Sequence, residues 1–160
     1  MKYKINILYY TPAIVVILVQ LVLIVLNYSD MPAEYVLGYH YGKSDPMPRW
    51  TIWLLWGLNV TVCAIIAAAY RFPRMRKNSF RIRMGGHKIV DAEDIMTPRQ
   101  MEVMYGITTL LISLIFLLII CSALFPAQRI YEILLIVVAG LGLLGSLALA
   151  VVLTIKHRQQ

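Results

Sequence analysis

The chain has 160 residues, 60% of them hydrophobic and 14% charged, with a net charge of +7 and a mean hydropathy of +0.72. A soluble domain of this size must cover much of its surface with polar groups, so this balance excludes an ordinary soluble globule and asks for a lipid-facing surface. Four apolar runs, about 5–26, 50–70, 104–125 and 133–155, are each long enough to cross about 30 Å of hydrocarbon at about 1.5 Å per residue, and none has a charged residue in its interior. The expected fold is an all-α membrane protein: one domain, residues 1–160, of four transmembrane helices, with a compact external loop between helices 1 and 2 and a basic cytoplasmic loop between helices 2 and 3.

The distribution of lysine and arginine sets the orientation. The amino terminus, the 71–102 segment and the tail carry 12 of the 15, while the 30–49 loop and the turn before the last run carry 3. Basic residues stay on the cytoplasmic side, so both termini and the 71–102 loop are expected inside and the 30–49 loop outside a cell membrane.

The first run follows Lys2 and Lys4, but it is longer than a signal-peptide core and no small-x-small site follows it. It reads as an uncleaved span. Tyr9 and Tyr10 suit its water–lipid boundary, and Pro12 is tolerated in a first turn whose N–H groups lack helical partners. Gln20 here and Asn59 in the second run stand at similar depth. Amides in hydrocarbon seek partners, so the pair suits a hydrogen bond between helices; a polar step in a transport path is the alternative. Cys63 and Cys121 both fall inside spans, without metal-ligand spacing, and read as small hydrophobes.

The first polar stretch runs DMPAEYVLGYHYGKSDPMPRW from Asp30 to Trp50. Pro32, Pro46 and Pro48 interrupt helix, Gly38 and Gly42 permit turns, and Tyr39, His40 and Tyr41 are too aromatic a set for a floppy linker. Asp30, Glu34, His40 and Asp45 form the one cluster with metal-binding chemistry, but its spacing matches no known site. His40 and Arg49 bonding these carboxylates to hold the loop's shape is the simpler reading, and no metal or other cofactor is expected. Trp50, Trp53 and Trp56 recur every three residues, as an aromatic belt at the outer boundary or a stacking surface.

Met31-Pro32-Ala33-Glu34, then His40-Tyr41, Gly42 and Pro48-Arg49-Trp50 resemble the loop after the first span in the domain that opens SdpI-type immunity proteins. That loop reads Leu-Pro-x-x-Ile-Pro-x-His-Phe/Tyr, a Gly, then Pro-Asp-x-Trp. The resemblance covers about residues 10–66; the segment from His40 to Trp50 is shorter here, and the Pro-Asp pair stands as Asp45-Pro46 and Pro48-Arg49. It implies a bacterial multi-pass protein whose external loop recognises a toxin, peptide or protein partner, in immunity or signalling. His40, Tyr41, Asp45, Arg49 and Trp50 are the residues assigned to partner binding.

The cytoplasmic loop has seven Lys/Arg and no acid between Arg71 and Lys88. Phe80, Ile82 and Met84 alternate with Arg81 and Arg83, and Gly85-Gly86 signals a two-residue turn before a strand from His87. Such a hairpin holds the loop inside; Arg81, Arg83 and Lys88 also suit anionic lipid headgroups. Nucleic acid is not an expected partner, because no recognised binding fold fits so short a segment. Thr97-Pro98-Arg99-Gln100 carries the signature of a helix start with a capping box.

About four residues, 126–129, separate the last two runs, which must pair antiparallel. Gly140-x-Gly142-x-x-Gly145 has no strand before it and no acid after it, so it is not a dinucleotide fingerprint. Gly142, Ser146 and Ala150 make a small-residue stripe for close packing on another helix, most simply the third span, and an oligomer is a separate expectation. With no acid inside a span and no nucleophile–base set, an enzyme is not expected. The alternative to recognition is an accessory subunit of a membrane transporter or channel.

Overall fold

The computed structural model describes residues 6–36, 46–72, 81–84, 88–91, 96–126, 130–131, 133–142 and 144–145. The chain is mostly helical, with four helices and two short antiparallel strand pairs among the described residues. A 3₁₀ turn, Ile7–Tyr9, leads into α1, Thr11–Asn27. β1, Glu34–Tyr35, pairs with β2, Met47–Pro48, and α2 follows at Thr51–Arg71. β3, Arg81–Met84, pairs with β4, Lys88–Asp91; α3 spans Pro98–Leu124 and α4 Ile133–Gly142.

Local chemistry explains the helix boundaries. Pro12 stands in the first turn of α1, where its missing N–H costs nothing, and the chain before it closes only the tighter 3₁₀ turn. α1 ends before Met31-Pro32, where the Asn27 carbonyl accepts from the Asp30 and Met31 N–H groups. At α3 both halves of the expected capping box form. The Thr97 hydroxyl accepts from the Gln100 N–H at 3.3 Å, and the Gln100 side chain accepts from the Thr97 N–H at 2.9 Å.

α2 and α3 are long and apolar enough to cross a membrane; α1 and the described part of α4 are shorter apolar helices. At about 1.5 Å per residue the 17 residues of α1 reach about 26 Å, and the 3₁₀ turn adds about 6 Å. The run expected at 133–155 is described as helix over Ile133–Gly142, and its Ser146 and Ala150 lie outside the described residues.

α3 is the central element, packed on both α1 and α2. Three layers fill the space between them. Ile24, Met31, Tyr35, Ile52, Ile120 and Ala123 form one end cluster, and Tyr10, Ala69, Tyr70, Met96, Met101 and Tyr105 the other. Between them lie Gln20, Asn59, Thr109 and Ser113, all buried, while Val15, Leu18, Val22, Leu54, Leu58 and Ile65 face outward. The middle layer is polar, the two end layers are apolar, and large apolar side chains also cover much of the outer face.

α4 runs antiparallel to α3. Phe125 and Tyr131 stack across the turn with ring centroids 6.0 Å apart, and a Cβ on Gly142 would lie 3.7 Å from Leu111 Cδ1. The β3–β4 hairpin forms, with one difference from expectation. Met84 pairs with Lys88, so three residues, 85–87, separate the strands rather than Gly85-Gly86 alone. A three-residue connection is the next commonest way to join such strands.

Candidate functional site: the clamped loop and the polar layer beneath it

The loop between α1 and α2 is held at both ends. β1 and β2 align Glu34 with Pro48 and Tyr35 with Met47, and the Arg49 N–H donates to the Ala33 carbonyl at 2.9 Å. Beneath this bracket Met31 and Tyr35 are buried against Ile24, Ile52 and Ile120. The Tyr35 hydroxyl lies 2.8 Å from Thr51 Oγ1, which donates to the Pro48 carbonyl at 2.7 Å. The Arg49 guanidinium sits 5.2 Å above the Tyr28 ring, a contact worth about 0.5–1 kcal/mol at an exposed site. Tyr28 in turn packs on Trp53, with ring centroids 5.8 Å apart. Glu34, Met47, Arg49 and Trp50 remain exposed.

Of the residues assigned to partner binding, Arg49 and Trp50 thus sit exposed at the loop's closing end. His40, Tyr41 and Asp45 lie outside the described residues. Asp30 and Glu34 are exposed, and among the described residues no three His, Cys, Asp or Glu side chains converge. Arg81, Arg83 and Lys88 lie on the β3–β4 hairpin, where Arg81 is opposite Asp91 and Lys88 opposite Met84.

The tryptophans do not form one belt. Trp50 is 55% exposed, whereas Trp56 donates its indole N–H to the Ile17 carbonyl at 3.2 Å and joins α2 to α1. Three steps of about 100° per residue spread residues 50, 53 and 56 over a third of the helix circumference, so one turns inward.

Below the loop, the two amides meet as the sequence suggested, and the network extends further. Asn59 Nδ2 donates to Gln20 Oε1 at 2.9 Å, and Gln20 Nε2 donates to the Ser113 carbonyl at 2.8 Å. The Cys63 thiol donates to Asn59 Oδ1 at 3.4 Å and lies 3.3 Å from Ser113 Oγ. Thr109 returns its hydroxyl to the Tyr105 carbonyl at 2.7 Å. α1, α2 and α3 are therefore tied at mid-height by a closed polar ring. Cys63, expected to pack as a small hydrophobe, is part of it.

The far end holds an acid that the sequence reading passed over. Glu102 is buried on the first turns of α3, where its carboxylate accepts from the Asn6 N–H. At the same end Tyr70 and Tyr105 pack on each other, ring centroids 5.5 Å apart, and Tyr70 donates to the Pro98 carbonyl at 3.5 Å. The available signal was the helix start at Pro98. It places Glu102 one turn inside the helix, on the same face as Tyr105, Gly106 and Thr109.

No known protein family, curated protein or solved structure matches the chain.

Proposed function

We propose that the chain is a multi-pass, four-span membrane protein of SdpI-like type. In this reading the 30–49 loop recognises a protein or peptide partner on the outer face, in immunity or signalling, without catalysis. The observation that carries the reading is the clamp: Tyr35, Thr51, Arg49 and Tyr28 fix both ends of the loop to the bundle. Rigid ends cut the ordering cost of binding, which is what a recognition loop needs and a mere linker does not. The outward apolar faces of α1, α2 and α4 support burial in lipid, and the 12-to-3 distribution of basic residues supports cytoplasmic termini and hairpin.

A transport path through the bundle is the weaker reading. Gln20 and Asn59 are fully buried, and each satisfies its amide oxygen and nitrogen within the ring, leaving no free polar step for an ion.

The test is expression in a sensitive bacterium challenged with a panel of membrane-active peptide toxins. Protection by the natural chain, lost with His40→Ala or Arg49→Ala at unchanged membrane level, is the expected result. A phenotype that depends on Arg81, Arg83 and Lys88 but tolerates both loop changes moves the active surface to the hairpin and sinks the proposal.

A further inference from the structure

Between the polar ring and the Tyr70 end, α1 and α2 part and leave a cleft of about 290 Å³. Its walls are Tyr10, Ala13 and Ile17 on one side and Val60, Ala64 and Ala67 on the other. The three alanines make the space, since any larger side chain there would close it. The polar side chains at its floor are already engaged: Cys63 donates to Asn59 and Thr109 to the Tyr105 carbonyl. A slot with no free donor or acceptor in its floor suits hydrocarbon rather than water or a polar ligand.

The lining narrows the occupant. The surface that the slot exposes is wholly apolar, so a hydrocarbon chain gives up no hydrogen bond on entering. A single acyl chain is slim enough to enter. The cleft also stands at the small end of ligand pockets, which begin at about 300 Å³.

Charge at the open end narrows it again. Val60, Ala64, Ala67 and Arg71 follow one stripe of α2, so Arg71 stands one turn beyond the last alanine, exposed. Arg99 on α3 donates to the Tyr9 hydroxyl at 3.3 Å, next to Tyr10 in the cleft wall. The bond from Tyr70 to the Pro98 carbonyl keeps these two ends of chain together. Among the described residues no carboxylate pairs with either arginine. The Tyr10 hydroxyl, at the same end, is buried with no hydrogen-bond partner among the described groups.

We infer that the cleft binds one anionic phospholipid, an acyl chain lying between α1 and α2 and the phosphate at Arg71 and Arg99. The inference rests on the membrane-spanning part of the proposed function and is independent of the loop's role.

The test is native mass spectrometry of the delipidated protein in detergent, given equal amounts of phosphatidylglycerol and phosphatidylcholine. The natural chain should retain phosphatidylglycerol over phosphatidylcholine by about fivefold or more, the preference one cation at a lipid surface provides. Arg71→Gln should bring the two lipids close to parity, and Ala64→Leu, which fills the slot, should lower the retention of both. Arg71 is exposed, so its variant reads the headgroup contact even where Ala64→Leu fails to fold. Equal retention by the natural chain, or an unchanged preference in Arg71→Gln, overturns the inference. So does full retention in a folded Ala64→Leu, or a dimer mass that replaces the lipid adduct. A chain that stays in solution without detergent overturns the membrane reading itself, and is told apart from these results before any lipid is added.

Discussion

Gly106 marks the place where the amino-terminal turn crosses α3. A Cβ there would stand 2.7 Å from the Tyr9 carbonyl oxygen and 3.2 Å from the Tyr9 Cβ, and backbone cannot yield as a flexible side-chain tip does. Gly106→Ala should therefore destabilise the bundle by about 1–3 kcal/mol, the usual cost of overpacking, read as a lower melting temperature in detergent. Gly57→Ala meets open space on α2 and should be neutral or stabilising by up to about 1 kcal/mol, because alanine is the better helix former. Nothing in the order of residues separates these two glycines. Each sits in an apolar helix, and only the crossing chain tells them apart. Gln20 and Asn59 were legible, since amides in hydrocarbon must find partners and these stood at one depth. Cys63 and Ser113 were not, because their hydrogen bonds depend on which helix face turns inward. Asn59→Leu should cost about 1–3 kcal/mol by leaving the buried Gln20 Oε1 without its donor. A double-mutant cycle with Gln20→Leu should give a coupling of about 0.6–1.7 kcal/mol. Strict additivity would contradict the direct bond.

At the scale of elements, the boundaries that rest on local chemistry were readable and those that rest on packing were less so. Thr97-Pro98-Arg99-Gln100 fixed the start of α3 because a capping box is complete within four residues. Thr97→Ala should cost about 1 kcal/mol and speed amide exchange over the first turn of α3, with the rest of the helix unaffected. In the basic loop the alternation of Ile82 and Met84 with Arg81 and Arg83 revealed a strand, but the register moved by one residue, since Gly-Gly permits several turns without demanding one. In α4, Gly142, the one member of the small-residue stripe among the described residues, faces Leu111, while Gly140 faces open space. Gly142→Leu should push α4 off α3 and lower the detergent melting temperature, and Gly140→Leu should leave it unchanged. Equal effects would remove the α3–α4 contact from the packing.

Over the whole molecule, hydropathy carried the helical class and the two helices long and apolar enough to cross a membrane, since such helices satisfy their own backbone. The three-layer interior was half legible: the aromatic ends and the amides show in sequence, but Glu102 beneath Asn6 joins residues 96 positions apart. The loop end shows the same division. The aromatics of residues 37–45, on which the expected cap rests, lie outside the described residues, and the clamp through Tyr35, Thr51 and Tyr28 depends on contacts that no spacing encodes. Everything proposed for this end requires that it face outward. Cys63 and Cys121 are buried free thiols, so the natural chain gives a low background to an impermeant thiol reagent. In intact cells Ser44→Cys, in the 30–49 loop, should be labelled, and Ser79→Cys, beside the basic hairpin, should be labelled only after lysis. Labelling of Ser79→Cys but not Ser44→Cys in intact cells would invert the protein in the membrane and contradict an outward-facing recognition loop.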